Sequence, residues 1–327
     1  MHDWQSVTLP YTLLPTGYTD AMALGSVMYA PKGHYASKST DGGLTWNDFS
    51  NFFAGSLQSV FPTKDGILLV SSLGTIYRST DNGENWAQVF QTSDQPNSYV
   101  TTRAWAQNST GTIFAGEYGP NKCQYLWKSV DDRENWTRID YFFDNYATVI
   151  HIHVVFVDPE TDRLYVSIGD AVRKTFYSDN EGEDWTEIFA AYSNGFTGIT
   201  SNASARFFID DLNPGSNRIW KSTDDSALTL IYNPPQLKYD TQPGGIVVDS
   251  NGDLWATTSN EQQTTGYATL LYSPDAGVTW RMIMSAPAGG YQFRMPVKDW
   301  TGRVPAALGY FVCTCVQGQQ MLRIALP

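Results

Sequence analysis

Apolar and polar residues alternate with a period of two in short runs along the whole chain, and Gly, Asp, Asn or Ser bounds each run. This is the pattern of strands joined by tight turns. The runs come in threes: residues 20–26, 27–30 and 35–39; 57–62, 67–71 and 75–79; 100–106, 112–116 and 125–129; 149–157, 164–168 and 174–178; 197–201, 205–209 and 218–222; 245–249, 254–258 and 269–273. The run at 149–157 is the most hydrophobic of the leading runs. No stretch carries the 3.6-residue period of an amphipathic helix convincingly.

Each group ends in a copy of one eight-residue phrase. Its cleanest copy is Ser39-Thr40-Asp41-Gly42-Gly43-Leu44-Thr45-Trp46, followed by Ser79 to Trp86 and Ser273 to Trp280. Decayed copies run from Ser129 to Trp136, with Arg133 in the glycine slot, and from Ser178 to Trp185, with Asn180 in the aspartate slot. The weakest starts at Ser222 and lacks both the glycine and the tryptophan. The third positions fall at 41, 81, 131, 180, 224 and 275, so the spacings are 40, 50, 49, 44 and 51 residues. That is about the ~45 residues of one four-stranded propeller blade. Ser and Asp side chains suit turns by bonding nearby backbone, Gly permits a positive φ, and Trp brings a large apolar surface.

The phrase resembles the Asp-box, or bacterial neuraminidase repeat, S-x-D-x-G-x-T-W. Sialidases, two-domain xyloglucanases, photosystem assembly factors and sortilin-type receptors carry it. The resemblance implies an all-β chain in which each box is the turn between the third and fourth strands of a blade and does no chemistry of its own. After Trp280 the chain has 327 − 280 = 47 residues, with strand-like runs at 291–297, 304–314 and 321–326. A fourth strand is missing there, and the N-terminal run at 5–10 has no group of its own. The expectation is a single seven-bladed β-propeller domain over 1–327, of four-stranded antiparallel blades, with the N-terminal run completing the C-terminal blade.

If the boxes occupy the bottom face, the innermost strands start at the top, and the links between second and third strands also lie there. Top-face residues then include Lys32 and His34, Arg103, Glu117 and Tyr118, His151 and His153, Asp170 and Arg173, Asp210 and Asp211, Glu261, and Tyr291 and Arg294. Arg206 falls at a bottom turn and is set aside. Residues i and i+2 of a strand share a face, so the imidazoles of His151 and His153 point the same way. They could ligate a metal with Asp170, act as a general base, or bind sugar hydroxyls. The alternative is a packed, hydrogen-bonded pair.

Arg103, Arg173 and Arg294, with His34, form the expected substrate-binding set, because guanidinium groups hold carboxylates bidentately. Tyr291-Gln292-Phe293-Arg294-Met295-Pro296 resembles the F-R-I-P motif of sialidases, with Met295 in place of Ile and placed after the last box rather than before the first. That resemblance implies that Arg294 belongs to a carboxylate clamp, Glu117-Tyr118 to a nucleophile pair and Asp170 to an acid/base. Seven-bladed polysaccharide lyases offer a second resemblance, in fold and chemistry. There an Arg or His neutralises a uronate carboxylate, His takes the proton and Tyr gives one, roles open here to Arg103, Arg294, His151, His153, Tyr118 and Tyr291. Lyase, sialidase-like hydrolase and non-catalytic binder of glycan or protein all stay open, with lyase action on an acidic oligo- or polysaccharide the leading expectation.

Composition narrows the partners. A formal net charge of −12 argues against nucleic acid or an anionic membrane. No run of ~18 apolar residues indicates a membrane span. The start does not read as a secretory signal, so an extracellular or periplasmic site, favoured by the glycan reading, requires another export route or a removed leader. Cys123, Cys313 and Cys315 read as buried free thiols. No cofactor is expected to be required, although a structural metal ion is possible.

Overall fold

The computed structural model of the chain describes residues 5–6, 9–49, 51–93, 96–120, 123, 125–131, 134–146, 148, 150–192, 195–211, 218–233, 242–259, 267–287, 293–315 and 320–326. Seven antiparallel four-stranded sheets form the blades of a β-propeller. The innermost strands, in chain order, are Met22–Leu24, Leu57–Pro62, Trp105–Gln107, His151–Val157, Phe196–Asn202, Gln242–Val248 and Phe293–Pro296. Apolar side chains fill the wedges between blades. Between blades 3 and 4, for example, Ile152, Val155 and Phe176 pack with Phe114, Trp105 and Phe142. Both faces of an inner strand meet neighbours, and His151–Val157 is accordingly buried at every position.

The repeated phrase forms the turn between third and fourth strands. In blade 1, Asp41 Oδ1 accepts from Ser39 Oγ (2.9 Å) and Thr45 N (2.9 Å), and Asp41 Oδ2 accepts from Thr45 Oγ1 (2.6 Å). Ser39 Oγ in turn accepts from Gly43 N at 2.8 Å, and Trp46 Nε1 donates to Gly43 O at 2.9 Å. Asp81 and Asp275 repeat the pattern. In the decayed copy, Asn180 Oδ1 takes the same place, and its Nδ2 now donates to Asp184 Oδ2 at 2.9 Å. Exchanging the acid and the donor keeps the turn.

These turns also lock adjacent blades. A Cβ on Gly43, Gly83, Gly182 or Gly277 would lie within 2.8 Å of Leu14, Phe49, Ile139 or Ile231 respectively. Each of those side chains comes from the preceding blade's outer edge, so the bare glycine is what lets the blades approach. The tryptophans add to the contact: Trp46 stacks on Tyr18 at 4.6 Å between centroids, and Trp185 meets Phe142 at 4.8 Å.

The N-terminal closure differs from expectation by one strand. Tyr11–Leu13, not the run at 5–10, pairs antiparallel with Gln320–Ala325 and completes blade 7. Gln5–Ser6 instead adds a fifth, parallel strand to the outer edge of blade 6, beside Arg281–Pro287. Pro10 cannot donate to a ladder and separates the two pieces. The run at 304–314 is strand only from Tyr310, since a 3-10 turn at Ala306–Leu308 precedes it. A second 3-10 turn, Thr102–Ala104, occupies part of the expected inner strand of blade 3, and one short helix, Tyr141–Asn145, links blades 3 and 4. Cys123 and Cys313 are buried; the side chain of Cys315 lies outside the described residues. No helix among the described residues is long and apolar enough to cross a membrane.

Candidate functional site

Strand register fixes which end of the ring is which. In blade 4, His151 pairs with Gly169 at one end, while Val157 pairs with Leu164 and Leu164 with Ser178 at the other. The repeated turn begins at Ser178, so the imidazoles lie at the opposite end of the blade from it. Residues near the starts of inner strands line an open cavity at that same end. It has a volume of about 360 Å³, and its wall includes Asp20, Gln58, Thr101, Arg103, Tyr118 and Arg294.

A recurring irregularity aims side chains into this space. The inner strands of blades 2, 4, 5, 6 and 7 each carry a register shift near their start. The residues that the ladders skip include Gln58 in blade 2, Gly244 in blade 6, and Arg294 with Met295 in blade 7, which line the cavity, and His153 in blade 4 and Thr197 in blade 5, which lie outside its wall. A bulge re-aims a side chain that regular pleating would send elsewhere. In blade 3 the 3-10 turn does the equivalent for Arg103.

The wall holds unsatisfied polar atoms. Asp20 Oδ1, Gln58 Oε1 and Thr101 Oγ1 are buried without a hydrogen-bond partner, an arrangement that costs free energy unless something else fills it. Asp20 sits at φ 44°, a left-handed conformation that Asp tolerates. Its backbone is held from both sides: Asp20 N donates to Thr314 Oγ1 at 2.8 Å, and Asp20 O accepts from Thr102 Oγ1 at 3.2 Å. Burial pushes its carboxyl up, against the pull of Arg294 and Arg103. Behind the wall, burial holds the Lys298 ammonium down to about 8, with Asp299 opposing and Arg103 adding to the shift. Neither Asp20 nor Lys298 stood out in the sequence. Asp20 reads there as the polar edge of a strand, and its orphaned oxygen appears only once seven strand starts converge.

The expected site residues separate into three groups. Arg103, Arg294 and Tyr118 line the cavity together. Tyr118 is paired through its backbone with Tyr99 (2.8 Å in both directions) and stacks on His151 at 3.9 Å. The second group is His151, His153, Asp170 and Arg173, on blade 4 beside the cavity. His151 Nδ1 lies 2.9 Å from Gly119 O, and the two Nε2 atoms are 3.0 Å apart. Asp170 Oδ1 is 3.1 Å from His153 Nε2, and Asp170 Oδ2 is 3.5 Å from His151 Nε2. Burial, with the neighbouring His153, holds His151 down to about 4, and the contact with His153 holds Asp170 down to about 2. Arg173 Nη1 donates to Asp211 O at 2.9 Å and so braces that residue rather than the cavity. Among the described residues, His151, His153 and Asp170 are the group whose ligand atoms, all within 4.8 Å of one another, could hold a metal.

The third group lies away from both. Glu117 is fully buried, and its carboxylate accepts from Ser93 N (2.9 Å), Ser93 Oγ and Trp127 Nε1 (2.6 Å). It ties blade 2 to blade 3 instead of facing a ligand. His34 bonds Phe53 O at 2.9 Å through Nδ1 and stacks on Phe52 at 4.6 Å, outside the cavity wall. Tyr291 and Glu261 lie outside the described residues. Arg206 is at the turn end, within 3.4 Å of Asp158.

Comparison with known proteins agrees with the fold. The solved structure of YCF48 bound to D1 peptide superposes with a TM-score of 0.68 at 13% identity, over 100% of both chains. YCF48 from Cyanidioschyzon merolae gives 0.63 at 15% identity, covering 96% of this chain and 98% of that one. The GH74 enzyme of Niastella koreensis gives 0.64 at 16% identity, over 97% of this chain and 53% of that one. At such identities the likeness carries architecture alone. Among curated proteins, none matches the sequence. The family profile described as the DUF6242 beta propeller domain matches residues 1–231, well over half of the 327, and the chain therefore belongs to that family.

Proposed function

We propose that this propeller recognises an acidic glycan in the central cavity, with Arg103 and Arg294 on a sugar carboxylate and Asp20, Gln58 and Thr101 on its hydroxyls. One observation carries the reading: two guanidinium side chains share a cavity wall with three orphaned polar oxygens. Guanidinium groups match carboxylates. Orphaned acceptors call for O–H donors, and a sugar ring supplies several at fixed spacing. Tyr99 and Tyr118 add aromatic surface to the same wall.

Cleavage by elimination is the catalytic form of this reading. Neutralising a uronate carboxylate acidifies the neighbouring C–H; a positioned base takes that proton, the C–O bond to the leaving sugar breaks as the C=C bond forms, and a positioned acid such as a tyrosine gives the leaving oxygen a proton. His151 and His153 are poorly placed for that step, because their ring nitrogens engage Gly119, Asp170, Asp211 and one another. Asp20 and the two tyrosines stand nearer to a ligand. A second reading, a peptide partner, draws on the YCF48 structure bound to a peptide, since peptide carboxylates suit the same arginines.

The test is calorimetric titration with uronate oligosaccharides, their neutral counterparts and carboxylate-bearing peptides. Uronates alone should bind, and Arg103→Ala or Arg294→Ala should each weaken binding about 10- to 100-fold, the worth of a charge-assisted hydrogen bond. Equal binding of neutral sugars would defeat the proposal, and binding of peptides alone would replace it with the second reading. Ultraviolet absorbance from an unsaturated uronate in the same samples separates cleavage from binding.

A further inference from the structure

We propose that His151, His153 and Asp170 form a mononuclear site for a divalent first-row transition ion of the zinc type, beside the central cavity and separate from it. The inference does not rest on the identity of the cavity's ligand.

The argument starts from where ring protons must sit. Gly119 O is an acceptor only, so the 2.9 Å contact puts the hydrogen of His151 on Nδ1 and leaves a lone pair on Nε2. His153 Nδ1 lies 3.4 Å from Asp211 Oδ2 without a hydrogen bond between them, and a ring proton placed on Nδ1, toward that acceptor, frees the Nε2 lone pair as well. Both lone pairs and the Asp170 carboxylate then converge, with separations of 3.0, 3.1 and 3.5 Å. Two ring nitrogens and the two oxygens of one carboxylate, three electron-rich groups at such spacing, repel unless a cation lies among them. A proton on His153 Nε2 can bridge two of the atoms at once. A metal ion can satisfy all three.

The dimensions fit the second choice. Ligands ~2.0–2.1 Å from a tetrahedral ion lie ~3.3 Å from each other, within the spread found here. Two imidazoles and one carboxylate are a common set for such ions. The supporting contacts match too: ligating histidines usually donate their other N–H to a carbonyl or carboxylate, the part played by Gly119 for His151, with Asp211 within 3.4 Å of His153 Nδ1. Arg173 in turn braces Asp211.

The sequence around the site is shaped to it. A Cβ at Gly169 would lie 2.2 Å from His153 Cε1, so the imidazole can occupy its place only against a bare backbone. His153 is the unpaired residue in the blade 4 register shift, which frees its ring from regular pleating. The two rings are buried, whereas the Asp170 side chain is 47% exposed. Water can therefore complete the coordination from the solvent side, as in open rather than closed zinc sites.

The test uses the whole chain, stripped with a chelator and returned to chelator-free buffer. Titration with Zn²⁺ should show one equivalent bound, and Co²⁺ should give the visible absorption of a tetrahedral centre. Asp170→Asn should erase the Co²⁺ bands and weaken Zn²⁺ at least 10-fold, while the stripped variant still unfolds in one cooperative transition, because the Asp170 side chain is 47% exposed. His153→Gln should do the same where it folds, while Arg103→Ala should leave metal binding intact. Absence of a saturable single equivalent, or binding that Asp170→Asn leaves untouched, overturns the proposal and leaves His151, His153 and Asp170 a packed, hydrogen-bonded cluster.

Discussion

Gly83 sits at φ +90°, and a Cβ there would lie 2.8 Å from the Phe49 ring. Alanine at this position therefore meets both a strained backbone and a neighbouring blade. Gly83→Ala should cost about 1–3 kcal/mol, a usual price for a non-glycine residue in a sparse φ/ψ region, measured as a fall in urea midpoint at constant slope. Asp20 is the opposite kind of residue, one whose native side chain is the burden. Burial raises its carboxyl despite Arg294 and Arg103, so the ionised form destabilises the fold above its folded pKa, and protonation relieves that cost. Asp20→Asn should raise the melting temperature at pH 8, and the gain should shrink as pH falls through the folded pKa. A gain that is flat across pH would show that the carboxylate is not the source. A residue that costs stability where it stands is a sign of use.

Among elements, the outermost strand of blade 7 was the hardest to read. Tyr11, Thr12 and Leu13 are all exposed, so no burial pattern marks them, and the alternation at 5–10 reads as the closing strand in their place. What anchors the segment is Leu14, buried against Gly43 of blade 1, a contact that sequence neighbours do not reveal. Inner and middle strands were legible because burial on their faces forces the alternation. The Thr75–Ser79 strand matches its expected bounds to the residue. His151 and His153 were legible as a pair, since i and i+2 share a face. Asp211 was visible only as one more polar residue on that face, because the contact with His153 spans two blades. Deleting residues 1–13 should bare the edge of Gln320–Ala325, lower the melting temperature by several degrees and produce concentration-dependent association on gel filtration. A truncated chain that stays monomeric and equally stable would mean that blade 7 needs no fourth strand.

Across the whole molecule, the two ends of the ring divide the labour. At one end, turns built on Ser, Asp and Trp hold blade to blade, and in blade 1 the Ser39, Asp41 and Trp46 hydrogen bonds close within the turn itself. At the other, unsatisfied oxygens and arginines face a cavity in a chain whose net charge is −12. The strand pairing that shuts the ring joins Tyr11–Leu13 to Gln320–Ala325, segments at opposite extremes of the sequence. During synthesis the first of these leaves the ribosome some three hundred codons before its partner. The early blades must wait as an open arc with a bare edge, and the circle can close only once Gln320–Ala325 has been made. A chaperone that shields that edge would therefore matter most for nascent chains and least for the mature protein.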